Sequence, residues 1–172
     1  MSLKGKKVAV FLENMYEDVE FWYPYLRMKE AEADVSSVAP EKRSYKGKRG
    51  TSADADMTID QVTAEDFHAL IIPGGYSPDL MRRNPDMVAF VKKMNDGGKP
   101  IATICHGGWM LASARIIDGR TVTGFFSIKD DLENAGADFK DDEVVVDGNL
   151  ITSRHPGDLP AFCKTIISAL EN

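Results

Sequence analysis

Five short apolar runs recur along the chain, Val8–Leu12, Val35–Val38, Ala69–Ile72, Ile101–Ile104 and Val144–Val146. Their length and β-branched content predict strands buried on both faces. The segments between them carry a helical period. Val88, Val91 and Met94 share one face of a helix that Asn84 and Pro85 introduce and Gly97 and Gly98 stop. Near the C-terminus, Phe162, Ile166, Ile167 and Leu170 line one face of a second helix, which can dock on a sheet. Alternating β and α elements imply an α/β fold, a mainly parallel sheet with helices on both faces. The exception is Glu143 to Ser153, where Asp147 and Gly148 separate two β-rich runs and predict an antiparallel β-hairpin appended to that sheet.

At 172 residues the chain fits the roughly 100 to 200 residues of one domain, so residues 1–172 are read as a single unit. Hydrophobic residues make up 43% and charged residues 28%, enough for a core, which excludes a disordered or collagen-like chain. A formal net charge of -6 opposes a polyanionic partner, so nucleic acid is not expected. The run Glu41 to Gly50 holds five basic residues and one tyrosine, and it reads as a solvated loop rather than a nucleic-acid patch. Val8–Leu12 is too short for a signal-peptide core or a membrane span. With only Cys105 and Cys163, and no metal spacing, a reducing compartment is expected, and hence a soluble, cytoplasmic protein with no membrane partner.

Chemistry concentrates at Cys105. An apolar strand runs directly into it, His106 follows, and Gly107 and Gly108 open an Ala/Leu/Met-rich helix. This pattern resembles a nucleophile elbow, a tight strand-to-helix turn that holds a side chain above the C-terminal edge of the sheet. A helix N-terminus favours the thiolate, so the expectation is a thiol of lowered pKa, with His106 as base and proton shuttle. His68 reads as structural, and His155 suits a pocket edge or a plain loop equally.

A second loop, Pro73, Gly74 and Gly75, also follows a strand and precedes a helix, so the amides of Gly75 and His106 can form an oxyanion hole. The first strand delivers Glu13, Glu17 and Glu20 to the same edge. A carboxyl beside a thiolate is pushed towards protonation, but spacing alone does not choose among the three. Neither a phosphate loop nor a dinucleotide fingerprint occurs. No metal, nucleotide or flavin cofactor is implied.

Taken together, Ala102 to Gly107, Pro73 to Gly75 with Ser77 to Asp79, Glu17 to Glu20, and Glu143 to Asn149 with Ser153 and Arg154 resemble the PfpI-type intracellular proteases of the ThiJ/PfpI superfamily. The likeness runs from about Lys7 to Leu170. It implies a flavodoxin-like three-layer sandwich, a class I glutamine amidotransferase-like domain, with Cys105 as nucleophile and His106 beside it. It also implies Glu20 as the carboxyl facing the thiol and Glu17 as its neighbour. Asp79 matches the acid that completes the triad from another subunit, so the expected partner is a second copy of the chain, in a dimer, trimer or hexamer with sites near subunit contacts. Gly108 stands where relatives often carry Pro, and Tyr76 at a variable position.

Three functions follow as expectations. The first is a cysteine hydrolase that attacks a peptide carbonyl. The second is a cofactor-free glyoxalase or deglycase, in which the thiolate adds to the aldehyde of a small dicarbonyl or of a glycated side chain, and Glu20 or His106 moves the proton. The third is a thiol-based stress or redox sensor, which no resolving Cys near the elbow supports.

Overall fold

The computed structural model describes residues 2–171. In chain order the elements are β1 (Lys7–Phe11), α1 (Asp18–Glu30), β2 (Asp34–Ala39), β3 (Ser44–Lys46), β4 (Ser52–Asp54), β5 (Met57–Thr58), β6 (Ala69–Ile72), α2 (Ser77–Met81) and α3 (Pro85–Asp96). They continue with β7 (Ile101–Ile104), α4 (Gly108–Ser113), β8 (Thr121–Val122), α5 (Lys129–Asn134), β9 (Asp138–Phe139), β10 (Val144–Asp147), β11 (Leu150–Ser153) and α6 (Leu159–Glu171).

A central sheet of order β10-β11-β7-β6-β1-β2-β5 is parallel throughout except for β10, which runs antiparallel to β11. All five apolar runs are strands of this sheet. Because successive side chains of a strand point to opposite faces, each central strand feeds two cores. Val8, Val10, Ile71 and Ile104 pack with Phe21 and Met28 of α1 and Phe162 and Ile166 of α6. On the other face, Ala9, Phe11, Leu70 and Ile72 pack with Met87, Phe90 and Val91 of α3 and Met110 and Leu111 of α4. The Asn84 side chain accepts the amides of Asp86 and Met87 at 2.9 and 3.2 Å, capping α3 as its sequence predicts. The β10–β11 turn sits at Asp147–Leu150, with Gly148 at φ +56°.

The basic run departs from its reading as a solvated loop. Ser44–Lys46 and Ser52–Asp54 form a two-stranded ladder, and Tyr45 is fully buried against the core beside α1. The turn of this hairpin docks on the start of α1, where the Asp18 carboxyl accepts the amides of Arg49 and Thr51 at 2.8 and 2.9 Å. Strands of three residues, each with one buried position between two exposed polar ones, carry little signal of their own, and the ladder stands because it is held from both ends.

In an open parallel sheet, ligands bind beyond the carboxyl ends of the strands where the strand order reverses. Here β1 is flanked by β2 on one side and β6 on the other, so the reversal falls between β1 and β6. The loops leaving β1, β6 and β7 meet there. No helix of the described residues is long and apolar enough to cross a membrane.

Candidate active site

Cys105 ends β7 in a left-handed backbone conformation, φ +60°, and starts a 3-10 turn that leads into α4. A side chain other than glycine in that region costs on the order of 1 to 3 kcal/mol, and the packed strand on one side and helix on the other must impose it. The consequence is sharp enough to bring neighbouring side chains together, with Sγ of Cys105 lying 3.1 Å from Nδ1 of His106. The imidazole is sandwiched by aromatic rings, stacked on Phe125 at 5.1 Å and edge-on to Trp109 at 5.0 Å. Its other nitrogen, Nε2, lies 3.2 Å from the hydroxyl of Ser127.

The loop after β6 wraps the sulfur. Gly74 donates its N–H to Oε2 of Glu20 at 2.8 Å. A Cβ on Gly74 would fall 2.5 Å from that oxygen and 3.0 Å from Sγ of Cys105, so only glycine lets the loop pass between carboxyl and thiol. Gly75, at φ +79°, pairs with Tyr16 as an isolated bridge, which ties this loop to the one leaving β1. The amides of Gly75 and His106 both reach the sulfur and favour its charged form.

Of the three candidate carboxylates, Glu20 is the one at the sulfur. It is fully buried on the inner face of α1. Burial, the largest cause, pushes its pKa up to about 8, although the Gly74 amide pulls the other way. Carboxyl and thiol are close enough to shift each other, yet Oε1 makes no aligned hydrogen bond. Glu17 is buried beside it and saturated by cations, with Lys48 Nζ at 3.2 Å and Arg49 Nε at 2.8 Å. Glu13 binds the amide of Asn14 at 2.7 Å and lies 3.9 Å from Arg43.

The thiol departs from the expectation of a lowered pKa. Burial first, and the Glu20 charge second, push Cys105 up to about 12, against the pull of the Gly75 and His106 amides. Cys105 opens a 3-10 turn of only three residues, followed by a helix of six, so little dipole opposes its desolvation. His106 is held below its ordinary value, by burial first and by the positive charge of Lys48 second. Its resting form is therefore the neutral imidazole.

Asp79 lies elsewhere. It sits on α2, pairs with Arg83, and makes no contact with His106 within the chain. His155 lines a cavity of about 530 Å³ with Phe126, Phe139 and Arg154, whose wall includes Phe125. Its Nδ1 also accepts the amide of Gly157 at 3.2 Å, so it has both a pocket-edge and a loop role. His68 accepts the amide of Lys7 at 3.0 Å, a structural bond between β1 and the start of β6. Among the described residues, no group of three or more His, Cys, Asp or Glu is placed to hold a metal ion.

Sequence reasoning missed Ser127, Phe125, Trp109 and Lys48. Phe125 and Trp109 orient the imidazole by packing, Ser127 by a hydrogen bond, and Lys48 reaches the site from the hairpin. Trp109 directly follows the glycines of the elbow, but nothing in the sequence tells that its ring, like that of Phe125, packs on the imidazole, or that Ser127 and Lys48 reach the site from separate segments.

Known proteins share this arrangement of chain. Deglycase PfpI of Pyrococcus furiosus is 44% identical over 165 residues, spanning 96% of this chain and 99% of its own. General stress protein 18 of Bacillus subtilis is 45% identical over 170 residues, spanning 97% and 99%. A two-domain protein of Anabaena variabilis, with DJ-1/ThiJ/PfpI-like and ferritin-like domains, superposes with a TM-score of 0.95 at 46% identity. That match covers 96% of this chain and 48% of the larger protein. The model of the DJ-1/PfpI family matches residues 6–169, and the chain belongs to that family.

Proposed function

We propose that the chain is a cysteine-dependent deglycase or glyoxalase, acting on small dicarbonyls and on their adducts with amines. The observation that carries this reading is the buried pair of Glu20, with its pKa near 8, and a Cys105 thiol that keeps its proton at neutral pH. An aldehyde carbon is a strong electrophile, so a thiol that loses its proton to a neighbouring base only as it attacks is sufficient. A resonance-stabilised amide demands a fuller thiolate and an imidazolium to protonate the departing amine, and His106 is held neutral.

In the proposed sequence, an amine adduct first releases its amine and regenerates the aldehyde. Sγ adds to the aldehyde carbon while the neutral imidazole of His106, 3.1 Å away, takes the thiol proton and the protonated Glu20 gives its own proton to the aldehyde oxygen, forming a hemithioacetal. Glu20 or His106 then moves the proton on that carbon to the neighbouring carbonyl carbon, leaving a 2-hydroxy thioester. Water hydrolyses the thioester, returns the thiol and releases a 2-hydroxy acid. The net reaction adds one water and needs no redox partner. An acid–base group with a pKa near the working pH is suited to a step that both takes and returns a proton.

Hydrolysis of a peptide bond is the second reading, favoured by the amides of Gly75 and His106, which can hold a tetrahedral oxyanion. It would need Asp79 from a second copy of the chain to orient His106, with sites at subunit contacts. Burial of Cys105 argues against a redox sensor, because the thiolate is the form that oxidises. The deciding assay compares methylglyoxal, its adduct with N-acetylarginine and a fluorogenic peptide, each with a Cys105→Ala control. Turnover of the first two, lost in the control, supports the deglycase reading, and Cys105-dependent cleavage of the peptide alone overturns it.

A further inference from the structure

We propose that the cleft where α2 and α3 meet the end of α4 is a second ligand site, for a small organic anion with a short apolar body. The cleft is a cavity of about 630 Å³ whose walls include Arg82, Arg83, Lys92 and Arg115 over a floor of Val88 and Ala114. No acidic residue lines it. The chain has 27 acidic residues against 21 basic ones, so this is a local reversal of its overall charge.

The four cations are not equally committed. Arg83 pairs with Asp79 and Lys92 with Asp96, both exposed contacts one helical turn apart, which stabilise little and yield readily to a competing anion. Arg82 donates to the hydroxyl of Ser113 at 2.8 Å and lies over the Trp109 ring at 5.5 Å, neither of which neutralises it. Arg115 makes no ion pair among the described residues and is exposed at the end of α4. Arg82 acts on the Asp79 carboxylate only through its field, so two guanidinium groups with no direct ion pair among the described residues flank the cleft, and guanidinium forks match carboxylate and phosphate oxygens. The floor gives the other half of the specificity. Pro85, Val88, Ala89 and Ala114 offer apolar surface to an aliphatic or aromatic tail, and each methylene buried there would tighten binding about four-fold.

This site is separate from the chemistry at Cys105. Two side chains nevertheless link it to that region, since Arg82 lies over Trp109, which packs on His106, and Arg83 holds Asp79.

The test is calorimetric titration of the full chain with hexyl phosphate and hexanoate, with inorganic phosphate as a head-only probe and hexanol as a tail-only probe. A tailed anion should bind at one site at least about ten-fold more tightly than inorganic phosphate or hexanol. Arg115→Gln and Val88→Asp should each weaken it at least about five-fold, while Cys105→Ala leaves it unchanged. Arg115→Gln should keep the unliganded rate of Cys105 alkylation, which shows that the variant folds. Preference for hexyl phosphate over hexanoate would identify a phosphorylated ligand, and the reverse a carboxylate. No saturable binding of either tailed anion, equal binding by Arg115→Gln, or loss of binding in Cys105→Ala would overturn the proposal.

Discussion

Sγ of Cys105 and Nδ1 of His106 lie 3.1 Å apart although the two residues are adjacent in sequence. Neighbours in an extended strand point to opposite faces, so the contact depends on the left-handed turn at Cys105. With the imidazole neutral and the thiol protonated, the pair at rest is uncharged, and Glu20 is the group whose ionisation changes its reactivity.

Alkylation of Cys105 by iodoacetamide is expected to rise with pH through about 8, as the Glu20–Cys105 pair loses its first proton. Glu20→Gln should remove that inflection and leave a single rise set by burial of the thiol, above 8 but below the value of about 12 that Cys105 has beside the Glu20 charge, while Glu13→Gln leaves the profile unchanged. Cys163, packed in α6 and pushed up to about 12 by burial, should react more slowly at every pH. Rates followed by mass spectrometry from pH 6 to 10 test this, and an unaltered profile in Glu20→Gln would show that another base serves the thiol.

Stability should carry the same signature. The folded chain holds the Glu20 proton up to about pH 8, whereas the unfolded chain releases it near its ordinary value of 4.5. Across that window the folded state binds more protons, so stability falls as pH rises and the loss is complete above about pH 8. The cost is on the order of 5 kcal/mol for a carboxyl this deeply buried. Glu20→Gln should therefore flatten chemical denaturation midpoints between pH 5 and 9, and a slope equal to that of the parent chain would refute the assignment.

Ser127 is expected to act as a positioning residue through Nε2 of His106. Ser127→Ala should lower kcat on the dicarbonyl by roughly ten-fold with little change in KM, and Ser127→Thr should restore part of it. Since the hydroxyl fixes which imidazole nitrogen carries the proton, nitrogen NMR of His106 should show a changed tautomer ratio in Ser127→Ala. An unchanged spectrum with lowered activity would point to a merely structural effect.

Gly74→Ala places a methyl group against Glu20 Oε2 and the Cys105 side chain. Overpacking of this kind should destabilise the fold by about 1 to 3 kcal/mol, and displacement of the carboxyl should suppress the inflection in Cys105 alkylation near pH 8. Thermal melting with the alkylation profile separates the two effects.

Asp79 decides whether a second copy contributes to the site. If it does, inactive Cys105→Ala and Asp79→Ala chains, mixed after dissociation, should regain some activity, because some sites then hold both groups. Verified mixed assemblies without recovery would leave Asp79 to its partner Arg83.

The strands were legible because burial on two faces leaves uninterrupted apolar runs, and the elbow because a strand entering Cys105 and two glycines has few other geometries. Glu20 was narrowed only by resemblance, since Glu13, Glu17 and Glu20 all leave β1 towards one edge, and only the fold shows that Glu20 alone lies inside α1, on its buried face. The acidity of Cys105 was misjudged because a dipole can be inferred from a helix start, whereas desolvation depends on the walls that α1 and the β6 loop build around it. The β3–β4 hairpin was hidden by its charge, because the buried Tyr45 and the Asp18 contacts that hold it belong to distant parts of the chain.

That hairpin divides labour within the molecule. The sheet edge supplies what reacts, the thiol, carboxyl and imidazole, on rigid strand ends and an inner helix face. Lys48 and Arg49, which neutralise Glu17 beside them, arrive on a surface appendage outside the central sheet. Substitutions in that appendage can retune the charge met by an approaching molecule and, through Lys48, the protonation of His106 and Glu20, all without moving the sulfur.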